Sequence, residues 1–249
     1  MNKTAKVHSI ETCGTVDGPG IRYVVFLQGC PLRCIYCHNP DTWDGGCKRA
    51  RTVTLDYLLD DIGKYKSYFH HSGGGITLSG GEPLVQAPFA LELFKAVKNN
   101  ESNSLNTALD TSGFTELTAT VKELLGHTDL VLLDIKSANP QTFKRLTGVT
   151  IDKTIAFAEY LNNQNIPAWI RYVVVPGFTD TEAEVNALAT LIKPWNNVQK
   201  VEILPFHQLG QHKWEALKIP YELANTPTPS SDTIANIKRI LKSHNLSVE

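Results

Sequence analysis

Six short apolar runs constrain the fold of this chain more than any other feature: 21–28, 76–79, 105–110, 130–135, 168–175 and 198–204. They are continuous stretches and do not alternate, as strands buried on both faces should be. Helical patterns lie between them. Leu55, Leu58, Leu59 and Ile62 follow i, i+3, i+4, i+7 spacing, as do Val185, Leu188, Ala189 and Ile192. Pro88 suits the first turn of a helix carrying Leu91, Phe94 and Val97. Ile234, Ile237 and Leu241 repeat the pattern, and 115–125 and 151–163 fill the remaining gaps. Successive βα units imply a parallel sheet with right-handed crossovers. Eight units would close a full barrel. Six predict an α/β fold of the open, partial (β/α)6 barrel kind, with a flat doubly wound sheet as the alternative. No linker stands out, so a single domain over 1–249 is expected, its core spanning about 15–245. The least regular stretch is 207–230, with Pro220, Pro227 and Pro229. At that length a lid or docking loop is expected.

Composition narrows the function. The 249 residues are 42% hydrophobic, enough for a buried core, and the formal net charge of −1 gives no drive toward nucleic acid or an anionic membrane. No run approaches a transmembrane span. Residues 1–14 lack the apolar core of a signal peptide. Five cysteines, an odd number, argue for a reducing compartment, so a cytoplasmic protein is expected.

Three of those cysteines carry the strongest chemical signal. Cys30, Cys34 and Cys37 form C-x3-C-x2-C within 29–40 (GCPLRCIYCHNP). Three thiolates can hold three corners of an iron–sulfur cube whose usual complement is four. The open corner leaves a metal position for a substrate or cofactor, as in catalytic zinc sites. Packing alone does not ask for this spacing. Zinc with His38 as fourth ligand is a second reading. A third takes Cys34, Cys37 and His38 as the C-x-x-C-H of c-type haem attachment, which leaves Cys30 unexplained. Cys13 and Cys47 fall in no ligand spacing and read as ordinary thiols.

The remaining polar residues follow the strands. Ser79, Gly80, Gly81, Glu82 and Pro83 follow the second run, and Asp110 and Thr111 end the third. Asp134 and Lys136 end the fourth, Pro176 and Gly177 follow the fifth, and His207 follows the sixth. In parallel α/β folds these carboxyl ends line the active site. The Gly80–Gly81 pair lets backbone approach a small polar ligand closely. The residues 73–75 (GGG) precede their strand and read as a structural turn. Asp110 and Asp134 would repel one another unless a cation or shared proton intervenes, and the Thr111 hydroxyl favours a hard cation. Separate helix-capping roles for the two carboxylates are the alternative. Lys136 could neutralise one of them. His207 reads either as a structural histidine or as a ligand contact.

The cysteine spacing, with Tyr36 before Cys37, resembles the cluster motif of the radical S-adenosylmethionine enzymes. Further stretches resemble the glycyl-radical-enzyme activases within them: 14–22 (GTVDGPGIR), 28–30 (QGC), 36–40 (YCHNP), Trp43, 79–82 (SGGE), 110–113 (DTSG), 134–136 (DIK), 169–177 (WIRYVVVPG) and 204–207 (LPFH). The resemblance implies an oxidoreductase with a 4Fe–4S cluster on Cys30, Cys34 and Cys37, its open iron chelated by S-adenosylmethionine. It implies that Ser79, Gly80, Gly81 and Glu82 hold the methionyl amino end, and that Tyr36, Cys37 and His38 contact the cofactor beside the cluster. Asp134, Ile135 and Lys136 would meet the methionyl or ribose part, and His207 the adenine. Asp110, Thr111 and Asp134, with the Leu132 carbonyl, match the family's monovalent-cation site. Asp17, Gly18, Pro19 and Gly20, with Arg171, would shape the groove for the partner's glycine loop; a tight turn feeding the first strand is compatible with that. Reductive cleavage of S-adenosylmethionine would give a 5′-deoxyadenosyl radical that takes hydrogen from one glycine of the partner. No general base is required. Many such activases carry an inserted ferredoxin-like domain with more cysteines. Only Cys47 follows the cluster loop here. That favours the short branch whose protein substrate is pyruvate formate-lyase, with activation of a different glycyl radical enzyme as the alternative. Flavodoxin or ferredoxin is the implied electron donor. The loop 45–51, with Lys48, Arg49 and Arg51, is either a docking patch for such an acidic donor or a solvated surface loop.

Overall fold

In the computed structural model, which describes residues 3–44, 50–99 and 104–249, each of the six apolar runs is a strand. The strands are β1 (Thr4–Gly14), β2 (Arg22–Leu27), β3 (Arg51–Thr54), β4 (Gly75–Gly80), β5 (Asn106–Thr111), β6 (Leu130–Asp134), β7 (Ala168–Val174) and β8 (Val198–Pro205). The helices are α1 (Leu55–Gly63), α2 (Lys66–Ser72), α3 (Ala87–Lys98), α4 (Ala119–Leu125), α5 (Pro140–Thr147), α6 (Asp152–Asn163), α7 (Glu182–Ile192), α8 (Gln211–Leu217) and α9 (Ser231–Ser243). The strand order is β3-β1-β2-β4-β5-β6-β7-β8, an open sheet. It is mixed and not wholly parallel, because β1 and β3 add antiparallel pairings beyond the six predicted strands. Both escape a search for apolar runs: outward positions of β1 such as Lys6 and Glu11 are polar and exposed. Among the described residues no helix is long and apolar enough to cross a membrane.

Two compact units share the chain. The first comprises Met1–Pro31, Thr42–Thr111 and Thr115–Leu132. Here β2 pairs with β4, and β4 with β5, both in parallel. Tyr23, Val25 and Leu27 of β2 and Ile76 and Leu78 of β4 are buried, as are Phe89, Leu93 and Phe94 of α3. Helix α3 packs beside α1 and α4. Successive side chains on a strand point to opposite faces. Arg22, Thr77, Ser79, Ala108 and Asp110 therefore share the other face of these strands.

Arg22 is fully buried on that face. Its guanidinium donates to Thr77 Oγ1 at 2.9 Å, to Asn106 Oδ1 at 2.7 Å and to the Ile76 carbonyl, with a longer contact to Pro19 O at 3.4 Å. Thr77 Oγ1 passes the link on, donating to Asp17 O at 2.7 Å. The turn 17–20 is thus tied through its backbone to β4 and β5. Burial lowers the Arg22 pKa to about 10, with Asp129 and Asp17 acting against that shift.

The second unit comprises Leu32–Asp41, Ser112–Phe114 and Leu133–Glu249. Strands β7 and β8 pair in parallel, with Arg171 opposite Glu202. Ala168, Ile170, Tyr172 and Val174 are buried, while Trp169, Arg171 and Val173 on the opposite face are partly exposed. Helix α7 packs beside α9. The last residues extend along β8: Val201 N donates to Ser247 O at 2.8 Å and Glu249 N to Val201 O at 3.0 Å. The stretch 207–230, read from sequence as irregular, holds α8 near its start.

Replacing Arg22 by Met keeps the volume and strands the buried oxygens it satisfies. Arg22→Met should cost roughly 3 kcal/mol of stability, measured by chemical denaturation of the apo protein. A loss within experimental error of zero would show that the network holds nothing together.

Candidate active site

In the first unit, parallel pairing of β2 and β4 delivers two loops side by side. Gly81 N donates to Leu27 O at 2.9 Å and Glu82 N to Gly29 O at 2.7 Å. The cysteine loop is held on its other side: Gly29 N donates to Thr42 O at 2.7 Å and Cys30 N to Trp43 O at 3.1 Å. The approach is as close as backbone allows. A Cβ on Gly81 would stand 2.3 Å from Gly29 O and 3.2 Å from Cys30 Cβ, and Gly80 sits at φ +117°. Only glycine fits both positions.

The side chains around this turn are tied down. Ser79 Oγ donates to Asp110 Oδ2 at 2.6 Å, and Thr111 Oγ1 to Glu82 Oε1 at 2.6 Å. Glu82 is buried, and the same oxygen accepts from Leu84 N at 3.1 Å. Glu82 is thereby the N-cap of a short 3-10 turn, Pro83–Gln86, with Pro83 at its first position. The sheet presents Asp17, Gly18, Pro19 and Gly20 near this face too, for a Cβ on Gly18 would lie 3.6 Å from Ala108 Cβ.

In the second unit, Cys34, Tyr36, Cys37 and His38 belong to a segment held by its backbone against the end of α5. Arg33 N donates to Thr147 O and Ile35 N to Leu146 O, each at 2.9 Å. Cys37 N closes a turn onto Cys34 O at 3.0 Å. Cys34 is buried and Cys37 partly exposed, and none of Cys30, Cys34 and Cys37 is in a disulfide among the described residues. Burial pushes the Cys34 thiol up to about 12, with Lys136 pulling the other way. A metal must displace that proton on binding. Tyr36 packs among Leu146, Val175, Phe206 and Leu223. Its buried hydroxyl has no hydrogen-bond partner among the described residues.

Lys136 Nζ lies 2.6 Å from Asp134 Oδ2 and 5.7 Å from the Tyr36 ring centroid. Burial works against its charge, but Asp134, Tyr36 and Cys34 outweigh burial and hold the ammonium well above its ordinary value. Ile135 is buried, its N donating to Arg171 O at 3.1 Å. His38 and His207 stack with centroids 4.1 Å apart, and His38 Nε2 meets His207 O at 3.1 Å. Burial lowers the His38 pKa. Arg171 Nε lies 3.5 Å from Glu202 Oε2.

The helix-capping alternative for Asp110 and Asp134 fails, because neither is the N-cap of a described helix: Thr118 caps α4 and Asn139 caps α5. Leu132 is buried in β6. Cys13 is an exposed thiol in β1. Cys47, Lys48 and Arg49 lie outside the described residues, whereas Arg51 opens β3 and stands 5.7 Å over the Tyr57 ring. Sequence reasoning missed Trp214, whose Nε1 donates to Cys37 O at 2.8 Å, and Lys213, 2.6 Å from Asn39 Oδ1. Nothing in their local sequence signals these distant contacts.

Comparison with known proteins decides among the readings of the cysteine loop. The Radical SAM superfamily profile matches residues 24–189. The pyruvate formate-lyase 1-activating enzyme of Escherichia coli K12 is 43% identical over 247 residues, 98% of each chain. The pyruvate formate-lyase-activating enzyme of Staphylococcus epidermidis is 47% identical over 238 residues, 94% of this chain and 93% of that one. The chain belongs to the radical SAM superfamily, among the pyruvate formate-lyase activating enzymes. Solved structures agree on the radical SAM fold. A radical SAM methyltransferase from Sphaerobacter thermophilus aligns over 99% of this chain and 72% of its own, with TM-score 0.67 and 18% identity. A domain of a pyruvate-formate lyase-activating enzyme from Bacteroides vulgatus aligns over 71% and 98%, with TM-score 0.57 and 21% identity. Membership in this family implies S-adenosylmethionine and an iron–sulfur cluster, the first of the readings of the cysteine loop.

Gly81→Ala should push the turn off Gly29, costing about 2 kcal/mol of stability and lowering iron incorporation. Iron analysis after anaerobic reconstitution, beside a melt of the apo protein, measures both. Wild-type iron content at wild-type stability would mean that this close approach is not needed.

Proposed function

We propose that this chain activates pyruvate formate-lyase, as a single radical SAM domain over 1–249 acting in the cytoplasm. Identity of 43–47% to such enzymes along nearly the whole chain supports the choice of partner over another glycyl radical enzyme. One observation carries the site: the Ser79–Glu82 turn packs by backbone directly on Gly29 and Cys30. A ligand held by that turn would lie beside the first cysteine. By number and spacing in the sequence, Cys30, Cys34 and Cys37 supply three ligands of a 4Fe–4S cluster and leave one corner over. Bound there, the cluster and S-adenosylmethionine would supply the one-electron chemistry by which a hydrogen atom is removed from one glycine of the partner.

The residues of this chain bind, orient and exclude water. Ser79, Gly80, Gly81 and Glu82 hold the methionyl amino end. Tyr36, Cys37 and His38 pack beside the cofactor, and the buried Tyr36 hydroxyl is a group that such a ligand can satisfy. Asp134, Ile135 and Lys136 meet the methionyl or ribose part, the Lys136–Asp134 pair keeping the local charge balanced. His207, stacked on His38, meets the adenine. Asp110, Thr111 and Asp134, with the Leu132 carbonyl, hold a monovalent cation. Asp17, Gly18, Pro19 and Gly20, with Arg171, receive the partner's glycine loop. Flavodoxin or ferredoxin delivers the electron, steered by Lys48, Arg49 and Arg51.

Mixing with pyruvate formate-lyase, reductant and S-adenosylmethionine without air should raise a glycyl radical signal by electron paramagnetic resonance. Cys30→Ala, Cys34→Ala and Cys37→Ala should each abolish both that signal and cluster iron, while Cys13→Ala and Cys47→Ala keep both. Full iron in Cys34→Ala, or no radical on this partner from an active enzyme, would overturn the assignment. Asp110→Asn should weaken S-adenosylmethionine affinity about tenfold without loss of iron, and activity should differ between sodium and potassium. Indifference in both respects removes the cation. Reversing Lys48, Arg49 and Arg51 to Glu should slow reduction by flavodoxin at low salt but not by a small chemical reductant. Equal rates with flavodoxin remove the steering role.

A further inference from the structure

The family's motifs end at His207, and nothing in the reading above gives the segment after it a task. Its first part lies on the cysteine loop. Trp214 is 5% exposed, and its indole Nε1 donates to Cys37 O at 2.8 Å. Lys213 Nζ lies 2.6 Å from Asn39 Oδ1 and 3.5 Å from Asp41 Oδ1. Gly210 passes so near His38 that a Cβ there would stand 2.8 Å from His38 Cα and 2.9 Å from its carbonyl oxygen. Three successive points of the loop, at 37, 38 and 39–41, are thus each met from α8 or the residue that begins it.

The segment is also anchored on itself. The Gln208 amide donates to the carbonyls of Leu223, Ala224 and Thr226 at 3.0, 2.9 and 2.9 Å. The Trp214 ring packs on Tyr221 at 5.2 Å between centroids, and Leu223 joins the cluster around Tyr36. A short helix with no side-chain cap would not hold its place by its own propensity. These outside contacts hold it there.

We propose that residues 207–226 form a brace that keeps Cys37 in its metal-binding conformation and covers that side of the cluster, with Trp214 as its main positioning residue. The proposal rests on the reading that Cys30, Cys34 and Cys37 hold the cluster. Only Ile35 and Tyr36 lie between Cys34 and Cys37, and their packing leaves the carbonyl side of Cys37 to be fixed from outside the turn. Its last ligand, Cys37, is partly exposed and ends the motif. A buried donor on the Cys37 carbonyl fixes the peptide from which the Sγ projects, as second-shell groups fix metal-ligating side chains. Trp214 and α8 lie over the carbonyl side of Cys37, so that part of its surface opens further only when α8 lifts.

The test is the rate at which a strong iron chelator strips the reconstituted protein without air, followed by loss of the visible cluster band. Trp214→Phe keeps the ring and removes the donor. Iron release should become about fivefold faster, the factor carried by one hydrogen bond of ordinary net strength. Bleaching in air should accelerate in step, with the far-ultraviolet circular dichroism of the apo protein unchanged and its stability lowered by about 1 kcal/mol, the net strength of that bond. Gly210→Ala, which forces α8 off His38, should do the same. Leu217→Ala, on an exposed position of the same helix, should not. Should Trp214→Phe fail to fold, Lys213→Met supplies the decision by the same rates. Release and bleaching at wild-type rates in the folded variants overturn the brace. Iron retention in the three cysteine variants overturns the cluster reading instead, so the two failures are told apart.

Discussion

Parallel pairing of β2 with β4, in the register that sets Leu27 opposite Gly80, is the constraint on which the first half of the site depends. Both strands end together, so the chain leaves the sheet twice at neighbouring points. The two exits then bond to each other by backbone alone, Gly81 N to Leu27 O and Glu82 N to Gly29 O. A slip of one residue would turn every side chain to the opposite face. Ser79 would lose Asp110, and Arg22 would lose Thr77. Because the linkage is main chain to main chain, it needs no special side chain, only the absence of two. The polar groups that follow are then set by position. Glu82 caps Pro83–Gln86 and accepts from Thr111, so one carboxylate oxygen fixes both the turn and the end of β5. A binding surface built this way is preorganised before any ligand arrives.

The second unit solves a different problem, that of holding charge and thiols out of water. Lys136 is largely withdrawn from water beside Asp134, and each satisfies the other's charge. Cys34 is buried without such a partner, and its thiol is accordingly pushed toward the neutral form. The loop that carries it cannot rely on thiol contacts for its shape. Backbone bonds from Arg33 and Ile35 to the last turn of α5 do that work, and Tyr36 adds a wedge among Leu146, Val175 and Phe206.

The elements legible in the sequence are those whose burial is one-dimensional. Strands β2 and β4 to β8 are continuous apolar runs, and α1, α3, α7 and α9 show helical spacing, so each declares itself within a few residues. Strand β1 does not, because its outward positions carry Lys6 and Glu11, and only its pairing with β2 and β3 makes it a strand. Helix α5 was readable in principle, since Asn139 caps it and Pro140 opens it. Helix α8 was not, since Gly210 offers no capping side chain. The same division runs through the site. The spacing of Cys30, Cys34 and Cys37 and the pair Gly80–Gly81 could be read as chemistry because the requirement is local. The second job of Glu82, the stacking of His207 on His38 and the bond from Trp214 to Cys37 join residues far apart in the chain, and no periodicity encodes them.

The loops that carry the chemistry share a weakness: they are rich in glycine, proline and cysteine, and offer few side chains by which to be held. What they do offer is carbonyl oxygens, and buried carbonyls must be paired. The structure meets this with long side-chain donors from elsewhere. Arg22 donates to Ile76 O beside the turn 17–20, and Trp214 to Cys37 O. Gln208 donates to three carbonyls of the stretch after α8. Gln86 donates to Gln28 O at 2.9 Å and Gln28 to Asp44 O at 2.5 Å, on either side of the first cysteine loop. Amide, indole and guanidinium groups suit this task because they donate from rigid planar ends, and the direction of the bond then fixes the orientation of the peptide. A protein whose reactive atoms belong to cofactors has little use for acids and bases. Its side chains are better employed in holding backbone still, and in this chain many of the buried polar ones are so employed.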